Sequence, residues 1–206
     1  MAHLYNEETI SQAINTKWAG KTVHFARETD STNLWGKRAW REEGAGHGEL
    51  FVAEYQSAGR GRFTRRWSAP PDSAITMSIL ICPEFSPQKA PMLTLVMGLS
   101  VAQAVRELDI EVSIKWPNDI YWKDKKICGM LIENDLMGRN ISQSISGIGI
   151  NVNQEVFHST APNPVSLRQI TGKQYDIFEI LKNIMLRIQS DYELLRNGDT
   201  ELIAHR

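Results

Sequence analysis

The sequence predicts an α+β domain with a mixed, mainly antiparallel sheet that is backed by helices. Between residues 111 and 152, strand-like segments follow one another with no helix between them, and the charged turn at 123–126 is typical of a hairpin. Helical patterns occur at irregular intervals, so the regular alternation of a doubly wound parallel sheet is missing. With 206 residues, of which 42% are hydrophobic and 23% charged, the chain has the size and composition of one globular domain.

Two helices and three strands are predicted in the first half of the chain. In order, they are a helix over 8–17, a strand over 22–27, a helix from 30–33 to about 43, and strands over 50–54 and 74–81. Apolar residues at helical spacing predict the first helix, and four consecutive N-cap residue types predict the start of the second. Alternation of apolar residues with polar or small ones predicts the first and last of these strands.

Two helices and four strands are predicted in the second half. In order, they are a helix over 92–108, strands over 111–115, 120–122, 127–133 and 141–152, and a helix over 176–195. The last helix has the clearest amphipathic pattern, because its apolar residues fall on one face. These residues are Phe178, Leu181, Ile184, Met185, Ile188, Tyr192 and Leu195.

Charge and cysteine content argue against several classes of protein. The net charge is −1, so a broad basic surface for nucleic acid is not expected. Cys82 and Cys128 stand far apart and in no metal-binding pattern, which indicates a reducing compartment and no protein-bound metal. The first residues lack the pattern of a signal peptide, and the apolar stretch at 92–105 is too short to cross a bilayer. We therefore expect a cytoplasmic protein without a membrane partner.

The segment from residue 59 to residue 67 is the most informative part of the chain. Its nine positions hold Gly59, Gly61, Trp67 and four arginines, at positions 60, 62, 65 and 66. Because like charges repel, this clustering predicts an anion whose oxygens are bound by guanidinium and backbone N–H groups. The positive charge is local, which favours a small ligand over a polymer. Trp67 either stacks on a base or packs beneath the loop, and the sequence does not distinguish the two.

Lys115 is a second cationic candidate, at the end of a predicted strand. Pro117 restricts Trp116 to an extended conformation, and Asn118 and Asp119 favour a turn. A lysine followed by such a stiff segment is held in place, which favours a positioned side chain over one that extends freely into solvent.

Glycines on two predicted strands indicate a smooth surface for a ligand. Gly129 stands inside an apolar strand, and Gly147 and Gly149 alternate with β-branched residues. Two such faces together form a flat slot for a compact, largely apolar ligand. The polar residues at 28–33 precede a helix; a cap needs only one of these side chains, so the others are candidates to bind a polar head group.

Taken in order, these segments resemble those of the biotin–protein ligase family. The matching segments are 30–33, 56–62 with Trp67, 115–119, 126–133 and 147–151. The resemblance implies the fold shared by class II aminoacyl-tRNA synthetases and lipoate ligases. It also implies a two-step reaction, in which the biotin carboxylate attacks the α-phosphorus of ATP with Mg²⁺ assistance to give biotinyl-adenylate and pyrophosphate. A lysine of the carrier domain of a biotin-dependent carboxylase then takes the biotinyl group and releases AMP.

The resemblance also implies roles for individual residues. Lys115 and Arg62 would be catalytic, with Lys115 between the biotin carboxylate and the α-phosphate and Arg62 in the loop that closes over the adenylate. The residues expected to bind biotin are Ser31, Thr32, Asn33, Gln56, Gly59, Arg60, Gly61, Arg62, Lys115, Gly129, Gly147 and Gly149. The residues expected to bind ATP are Arg62, Arg65, Trp67, Lys115, Asn118 and Asn151. The strand glycines would make room for the rings of biotin. Ligand binding would order the segment over residues 59–67, called the arginine loop below. No residue is assigned to Mg²⁺.

The chain also differs from the family pattern. Thr64 stands where many members have a second glycine, so we expect different loop closure if that position needs a positive φ. No helix-turn-helix pattern precedes residue 20, and the C-terminal β-barrel of many relatives is absent or cut off. We therefore expect one catalytic domain over residues 1–206 and no DNA partner, while an exposed edge strand leaves a homodimer open.

Two alternative functions remain at this point. A lipoate or octanoyl transferase has the same fold but needs a longer apolar tunnel. A non-enzymatic nucleic-acid-binding module needs a wider basic face than one loop supplies.

Overall fold

A seven-stranded sheet is the framework of the structure, which is a computed structural model. The structure describes residues 6–63, 65–83, 86–157, 162–199 and 201. The strands are β1 (Val23–Thr29), β2 (Leu50–Gln56), β3 (Ala74–Ile81), β4 (Ser113–Lys115), β5 (Asp119–Trp122), β6 (Lys125–Met137) and β7 (Asn140–Asn151). The α-helices are α1 (Glu7–Ile14), α2 (Thr32–Arg38), α3 (Ala90–Arg106), α4 (Leu167–Thr171) and α5 (Ile177–Asn197). A π-helical turn over Ala39–Glu43 extends α2, and a 3-10 turn over Pro87–Lys89 precedes α3.

The sheet is mixed and mainly antiparallel, as the sequence predicts. The strands lie in the order β1-β2-β3-β7-β6-β5-β4. The neighbours β1 and β2 run parallel, and each of the other neighbouring pairs is antiparallel. The predicted hairpins in the second half are therefore confirmed, and this half supplies the centre of the sheet and one of its edges.

The longest hairpin is formed by β6 and β7, which pair from Cys128 and Ile150 to Met137 and Asn140. The sequence predicts both strands but ends β6 at residue 133, four residues too early. The extra residues lie at the exposed end of the hairpin, where Leu136 and Met137 are 60% and 75% exposed. Because none of residues 134–137 of β6 is buried, the alternation that marks a strand in sequence is missing there.

Most of the hydrophobic core lies on one face of the sheet, beneath α1, α3 and α5. Ile75, Met77 and Ile79 of β3 and Ile148 and Ile150 of β7 are buried in this layer. These side chains alternate along each strand with smaller or polar ones on the opposite face. One face therefore supplies most of the burial.

Helix α5 has the amphipathic character that its sequence predicts. Ile184, Met185 and Ile188 are fully buried, and each such side chain contributes about 1.5–3 kcal/mol through burial. The helix begins after Asp176, whose carboxylate accepts a hydrogen bond from the backbone N–H of Phe178 at 2.8 Å.

On the opposite face of the sheet, α2 covers one end of the strands. Phe51, Leu80 and Ile145 pack there against Ala39. Gly36 allows this close packing, since a Cβ at that position would lie 3.2 Å from Ile145 and 3.3 Å from Phe51. The rest of this face, over the glycines of β6 and β7, lines a pocket.

The short helix α4 is absent from the sequence prediction. It has five residues, which is too few for a periodic pattern to be recognised. Its start is fixed by a capping box, in which Ser166 Oγ accepts from the N–H of Gln169 and the Gln169 side chain accepts from the N–H of Ser166.

Within the described part of the chain, no helix combines the length and the apolar character needed to cross a bilayer.

Candidate active site

A cavity of about 190 Å³ lies over the glycine-bearing part of the sheet. One water molecule needs roughly 10–15 Å³ in the same measure, so the cavity holds a ligand of many atoms. Its described lining contains five cationic side chains, which are Arg60, Arg62, Arg65, Arg66 and Lys126. Among the same lining residues Asp119 is the single carboxylate, which makes the pocket strongly electropositive.

One end of the pocket is polar and uncharged, and α2 supplies part of it. The backbone N–H of Thr32 donates to Gln56 Oε1 at 2.7 Å, and the Thr32 hydroxyl lies 3.1 Å from the same oxygen. Ser78 Oγ lies 2.8 Å from Thr32 Oγ1 and 2.7 Å from Asn33 Oδ1. Ser31 is buried at the N-cap of α2 but makes no cap hydrogen bond with its side chain. The predicted polar residues therefore lie together, with most of their orientations fixed by one another.

Asn33 and Trp67 occupy the space that Gly147 and Gly149 leave free. A Cβ at Gly147 would lie 2.0 Å from Asn33 Oδ1, and a Cβ at Gly149 would lie 2.5 Å from the indole ring of Trp67. Both glycines line the pocket, but the side chains that they accommodate directly are the protein's own. The prediction that they make room for the biotin rings stays a prediction.

The arginine loop is a tight hairpin that returns on itself at its base. Arg60 and Arg66 pair as an antiparallel bridge, the N–H of Gly61 donates to the carbonyl of Arg65, and that of Trp67 donates to Gly59. A Cβ at Gly59 would lie 2.4 Å from the carbonyl oxygen of Trp67, so this crossing requires glycine. Gly59 thus shapes the loop and is not among the residues that line the pocket.

The tip of the loop contains a left-handed residue. Phe63 has a φ of 52° and is 80% exposed. The expectation about Thr64 concerns a position outside the described residues.

Arg60 and Arg62 have partners within the protein. Arg60 Nη1 lies 3.2 Å from both carboxylate oxygens of Glu133, and Arg62 Nη1 donates to Asn118 Oδ1 at 3.1 Å. Asn118 is itself held in place, because its Nδ2 donates to the carbonyl of Met130 at 2.9 Å. Both arginines thus have partners in the protein itself, and the expectation that ligand binding orders the loop stays a prediction.

Lys126 is the lysine of the pocket, and a β-bulge directs it there. The pairing of β5 with β6 shifts between Ile120 and Tyr121, so that Ile120 pairs with Cys128 but Tyr121 pairs with Lys126. The extra residue, Ile127, places Lys126 on the same face as Gly129, although a regular strand would put them on opposite faces. Without the bulge this ammonium group would point into the core layer.

The side chain of Lys126 lies along Gly129 and ends at a carboxylate. A Cβ at Gly129 would be 3.0 Å from both Cε and Nζ of Lys126, so glycine leaves the room that the lysine uses. Lys126 Nζ donates to Asp119 Oδ1 at 2.7 Å, and both side chains are less than a fifth exposed. The ammonium group is therefore held at the wall of the pocket by a short ion pair.

The backbone of Lys126 is also fixed. Its N–H donates to the carbonyl of Asn163 at 2.8 Å, and its carbonyl accepts from the N–H of Val165 at 2.9 Å. Asn151, which lines the pocket, places its Nδ2 3.3 Å from the same carbonyl oxygen. The segment before α4 thus acts as a second support for the bulge.

The structure does not place Lys115 where the sequence analysis expects it. Lys115 is exposed and is not among the residues that line the pocket; its Nζ lies 4.8 Å from the centre of the Tyr121 ring. It stands on β4, the three-residue strand at the edge of the sheet, and pairs with Asp119 of β5, which does line the pocket. Lys126 lines the pocket instead, and the sequence does not predict this position, because a bulge that exchanges the faces of a strand has no clear signal in one sequence.

Other predicted residues do line the pocket. They are Ser31, Thr32, Asn33, Gln56, Arg60, Gly61, Arg62, Arg65, Trp67, Asn118, Gly129, Gly147, Gly149 and Asn151. The described residues contain no cluster of three or more side chains that could hold a metal ion. The indole Nε1 of Trp67 is buried and has no hydrogen-bond partner in the described part of the chain.

Comparison with known proteins gives a consistent result. A model of the biotin/lipoate A/B protein ligase family matches residues 25–151. The chain is 36% identical over 165 residues to the bifunctional ligase/repressor BirA of Bacillus subtilis, which covers 77% of the chain and 50% of that relative. The chain thus spans half the length of this curated relative.

Two solved structures have the same fold. The biotin protein ligase from Aquifex aeolicus in complex with biotin and ATP has a TM-score of 0.74 and 34% identity, over 86% of this chain and 72% of that one. The biotin protein ligase from Leishmania major in complex with biotinyl-5-AMP has a TM-score of 0.67 and 27% identity, over 81% and 72%. The predicted fold, that of class II aminoacyl-tRNA synthetases, is confirmed.

Proposed function

The chain belongs to the biotin/lipoate A/B protein ligase family, and we propose that within this family it is an ATP-dependent biotin–protein ligase. In the first step, a carboxylate oxygen of biotin attacks the α-phosphorus of ATP, and pyrophosphate leaves with the electrons of the broken P–O bond. In the second step, a lysine amine of a carrier domain attacks the acyl carbon, and AMP leaves.

The observation that carries this proposal is the charge distribution of the pocket. Five cationic side chains line it, against one carboxylate that is already paired with a lysine. Two anions, a carboxylate and a polyphosphate, repel each other as they approach, and fixed cations compensate that repulsion. The uncharged polar end supplies hydrogen bonds for a neutral head group such as the ureido ring of biotin.

At the polar end, Ser31, Thr32 and Gln56 are the candidates to meet the ureido group. The Ser31 hydroxyl makes no cap hydrogen bond, so its proton and lone pairs are available. Asn33 already donates to the Leu131 carbonyl at 3.1 Å and to Glu133 Oε2 at 2.9 Å, and its Oδ1 lies 2.7 Å from Ser78 Oγ, so the second lone pair of Oδ1 is what it can offer to biotin.

For the reacting end, we assign to Lys126 and Arg62 the roles predicted for Lys115 and Arg62. The Lys126 ammonium lies at the pocket wall, where it can contact the carboxylate and the α-phosphate together. Arg62 reaches the same cavity from the loop side. Each would stabilise the charge that builds up on the phosphate oxygens in the transition state, an effect of about 3 kcal/mol per contact.

On the nucleotide side, Arg65, Trp67, Asn118 and Asn151 are the proposed contacts. The buried indole N–H of Trp67 still lacks an acceptor among the described residues. An acceptor atom of bound nucleotide or biotin would satisfy it, which supports a ligand position against this ring.

The Mg²⁺ that accompanies ATP has few protein ligands in this pocket. Asp119 is the one carboxylate among the described lining residues, and it is engaged by Lys126. Mg²⁺ commonly keeps several waters and binds through substrate phosphates with one or two carboxylates, and this donor set fits that mode. The ion would neutralise phosphate charge, while Lys126 and Arg62 orient the reacting groups.

A lipoate or octanoyl ligase of the same fold is the alternative. Biotin is favoured because both solved structures named above are biotin protein ligases. The polar end of the pocket also suits a ureido head group. The proposed partner is the carrier domain of a biotin-dependent carboxylase, which supplies the acceptor lysine.

Calorimetry and pyrophosphate detection test the proposal. We expect biotin to bind with submicromolar affinity and pyrophosphate to appear only when biotin and ATP are both present. Lipoate or octanoate in place of biotin is the specificity control, and an oligonucleotide is the control for nucleic-acid binding. Preference for either fatty acid, or pyrophosphate release without biotin, would contradict it.

A further inference from the structure

Glu133 is a carboxylate next to the pocket that is not among its lining residues but contacts two of them, Asn33 and Arg60, and the proposed chemistry does not use it. It stands on β6, and three side chains from two separate segments meet it. Lys37 Nζ donates to Oε1 at 2.9 Å, Asn33 Nδ2 donates to Oε2 at 2.9 Å, and Arg60 Nη1 lies 3.2 Å from both oxygens. The side chain is 19% exposed, so these contacts are shielded from solvent on the side of Glu133.

Two of these partners fix the carboxylate, and the third belongs to the arginine loop. Asn33 and Lys37 project from α2, which is packed on the sheet, and hold the carboxylate in one orientation. Arg60 lies at the base of the loop, where it bridges to Arg66. Of the loop arginines in the described residues, Arg60 is the one with an ion pair to a carboxylate.

The charge of Glu133 persists at neutral pH. Burial alone would raise its pKa, but hydrogen bonds from Asn33 and Lys37 and the charges of Lys37 and Arg60 outweigh burial, so the pKa lies below its ordinary value. An ionised carboxylate therefore faces a loop that carries four arginines, and it attracts that loop onto the sheet.

We propose that Glu133 is a positioning residue that holds the arginine loop closed over the pocket and thereby retains the acyl-adenylate until its acceptor arrives. The inference rests on the proposed function, because it concerns the intermediate of that reaction. Biotinyl-adenylate is a reactive mixed anhydride, so its escape would waste ATP and acylate amines without selection. Glu133 acts through Arg60 and does not touch the reacting atoms.

Substitution Glu133→Gln tests this role, because it keeps the shape and an acceptor for Asn33 but removes the charge. We expect the dissociation rate of biotinyl-adenylate to rise about threefold to tenfold, the range for loss of a charged hydrogen bond with a partly exposed partner. The rate is measured by mixing the preloaded complex with excess unlabelled biotin and following release of labelled adenylate. The KM for ATP should change by less than about twofold. Trypsin should also cleave faster in the loop.

Two control variants separate positioning from stability. Asp135→Asn changes a carboxylate on the same strand and the same face, whose partners Arg41 and Gln143 lie away from the loop. Lys37→Gln removes the other cation that contacts Glu133. We expect Asp135→Asn to leave the dissociation rate within about twofold of the parent protein. Lys37→Gln loosens the carboxylate but leaves its pair with Arg60, so it should raise the rate by less than Glu133→Gln does. Melting temperatures show whether each variant is folded.

A double-mutant cycle identifies the route of the effect. If Glu133 acts through Arg60, then Glu133→Gln should cause no further increase in a protein that already carries Arg60→Gln. Arg60→Gln alone also tests the inference should Glu133→Gln not fold. Equal dissociation rates for the parent, Glu133→Gln and Arg60→Gln would overturn the inference, as would an equal increase with Asp135→Asn. Failure of the parent to form adenylate would instead overturn the proposed function.

Discussion

At the scale of single residues, the position of Lys126 depends on three neighbours. Ile127 is the extra residue of the bulge, Gly129 leaves room for the lysine side chain, and Asp119 binds its ammonium group. The sequence singles out Gly129 as a glycine inside an apolar strand, but the joint effect of the three residues arises from the register of β5 and β6. A substitution that removes the lysine side chain leaves this backbone register in place, so it tests the role of the side chain separately from the stability of the strand.

Lys126→Ala should reduce adenylate formation by about 10²–10³-fold, because a positioned cation next to the developing charge is lost. Lys125→Ala is the matched control, since Lys125 directly precedes Lys126 on the strand and is exposed. It should change the rate by less than about twofold. Pyrophosphate release with saturating biotin and ATP measures both.

Lys115→Ala belongs in the same experiment. If the loss of activity follows Lys115 and not Lys126, the role that the sequence predicts for Lys115 is right and the assignment of Lys126 is wrong.

Gly129→Ala should lower activity without unfolding the protein. The added Cβ would meet Cε and Nζ of Lys126 at 3.0 Å, and this flexible end can move away. The ammonium would leave its place beside Asp119, so we expect adenylate formation to fall by about tenfold. Pyrophosphate release and the melting temperature are measured on the same sample.

Gly138→Ala is the complementary control for that prediction. Gly138 lies at the tip of the β6–β7 hairpin with a φ of 62° and no atom within 4 Å of an added Cβ. It should cost about 1 kcal/mol of stability while leaving the reaction rate unchanged. An unchanged rate in Gly129→Ala would show that Lys126 tolerates the displacement.

At the scale of elements, the site depends on a connection that the sequence analysis overlooks. The segment before α4 fixes the backbone of Lys126 through Asn163 and Val165. Ser166 in turn holds this segment, because its hydroxyl donates to the carbonyl of Gln154 at 2.6 Å and accepts from Gln169. A five-residue helix distant in sequence from the arginine loop therefore supports the pocket wall.

Ser166→Ala should destabilise the protein by about 1 kcal/mol through loss of the cap, and it should also slow adenylate formation. Asp176→Ala removes the cap of α5 at a similar cost, but α5 lies on the other face of the sheet, so the reaction rate should be retained. Denaturant unfolding gives the free energies, and pyrophosphate release gives the rates. Equal rates in the two variants would show that α4 has no specific role at the site.

The sequence predicts the elements better than it predicts their junctions. The sequence predicts the strands that carry the glycines and the amphipathic helix α5, because the residue types on each of them repeat at the period of a strand or a helix. The sequence does not predict the bulge at Ile127 or the position of the cap at Ser166, because both depend on contacts with other segments of the chain. For the same reason the sequence predicts the polar residues of α2 as a group, and the structure brings them together, whereas it predicts Lys115, which lies outside the pocket lining, and not Lys126.

At the scale of the whole molecule, acid should weaken the fold. Hydrogen bonds from the Arg38 guanidinium, at 2.7 and 2.9 Å, lower the pKa of Asp30 from 3.8 to about 2. A carboxyl whose pKa is lower in the folded state stabilises the fold fully above its unfolded pKa, and this stabilisation is lost as the pH falls through the folded pKa. The pKa of Glu133 and that of Asp135 are also lowered, so they contribute with the same sign.

We therefore expect the free energy of unfolding to fall as the pH is lowered from about 5 to about 2. Burial, and then the charge of Asp72, raise the pKa of Glu54, which acts in the opposite sense but is one group against three. Denaturant unfolding at several pH values measures the slope, and Asp30→Asn should make it shallower. An identical slope in that variant would mean that the Asp30–Arg38 pair does not contribute.

The two faces of the sheet differ in which amino-acid substitutions they can tolerate during evolution. Since the helices that bury most apolar side chains lie behind the sheet, a substitution at the front changes recognition while the main hydrophobic core behind it is left intact. Drift in ligand preference is therefore possible in single steps, without a compensating change elsewhere. An engineer who wants the protein to accept a bulkier vitamin analogue should vary the front layer alone, beginning with the indole that rests on Gly149.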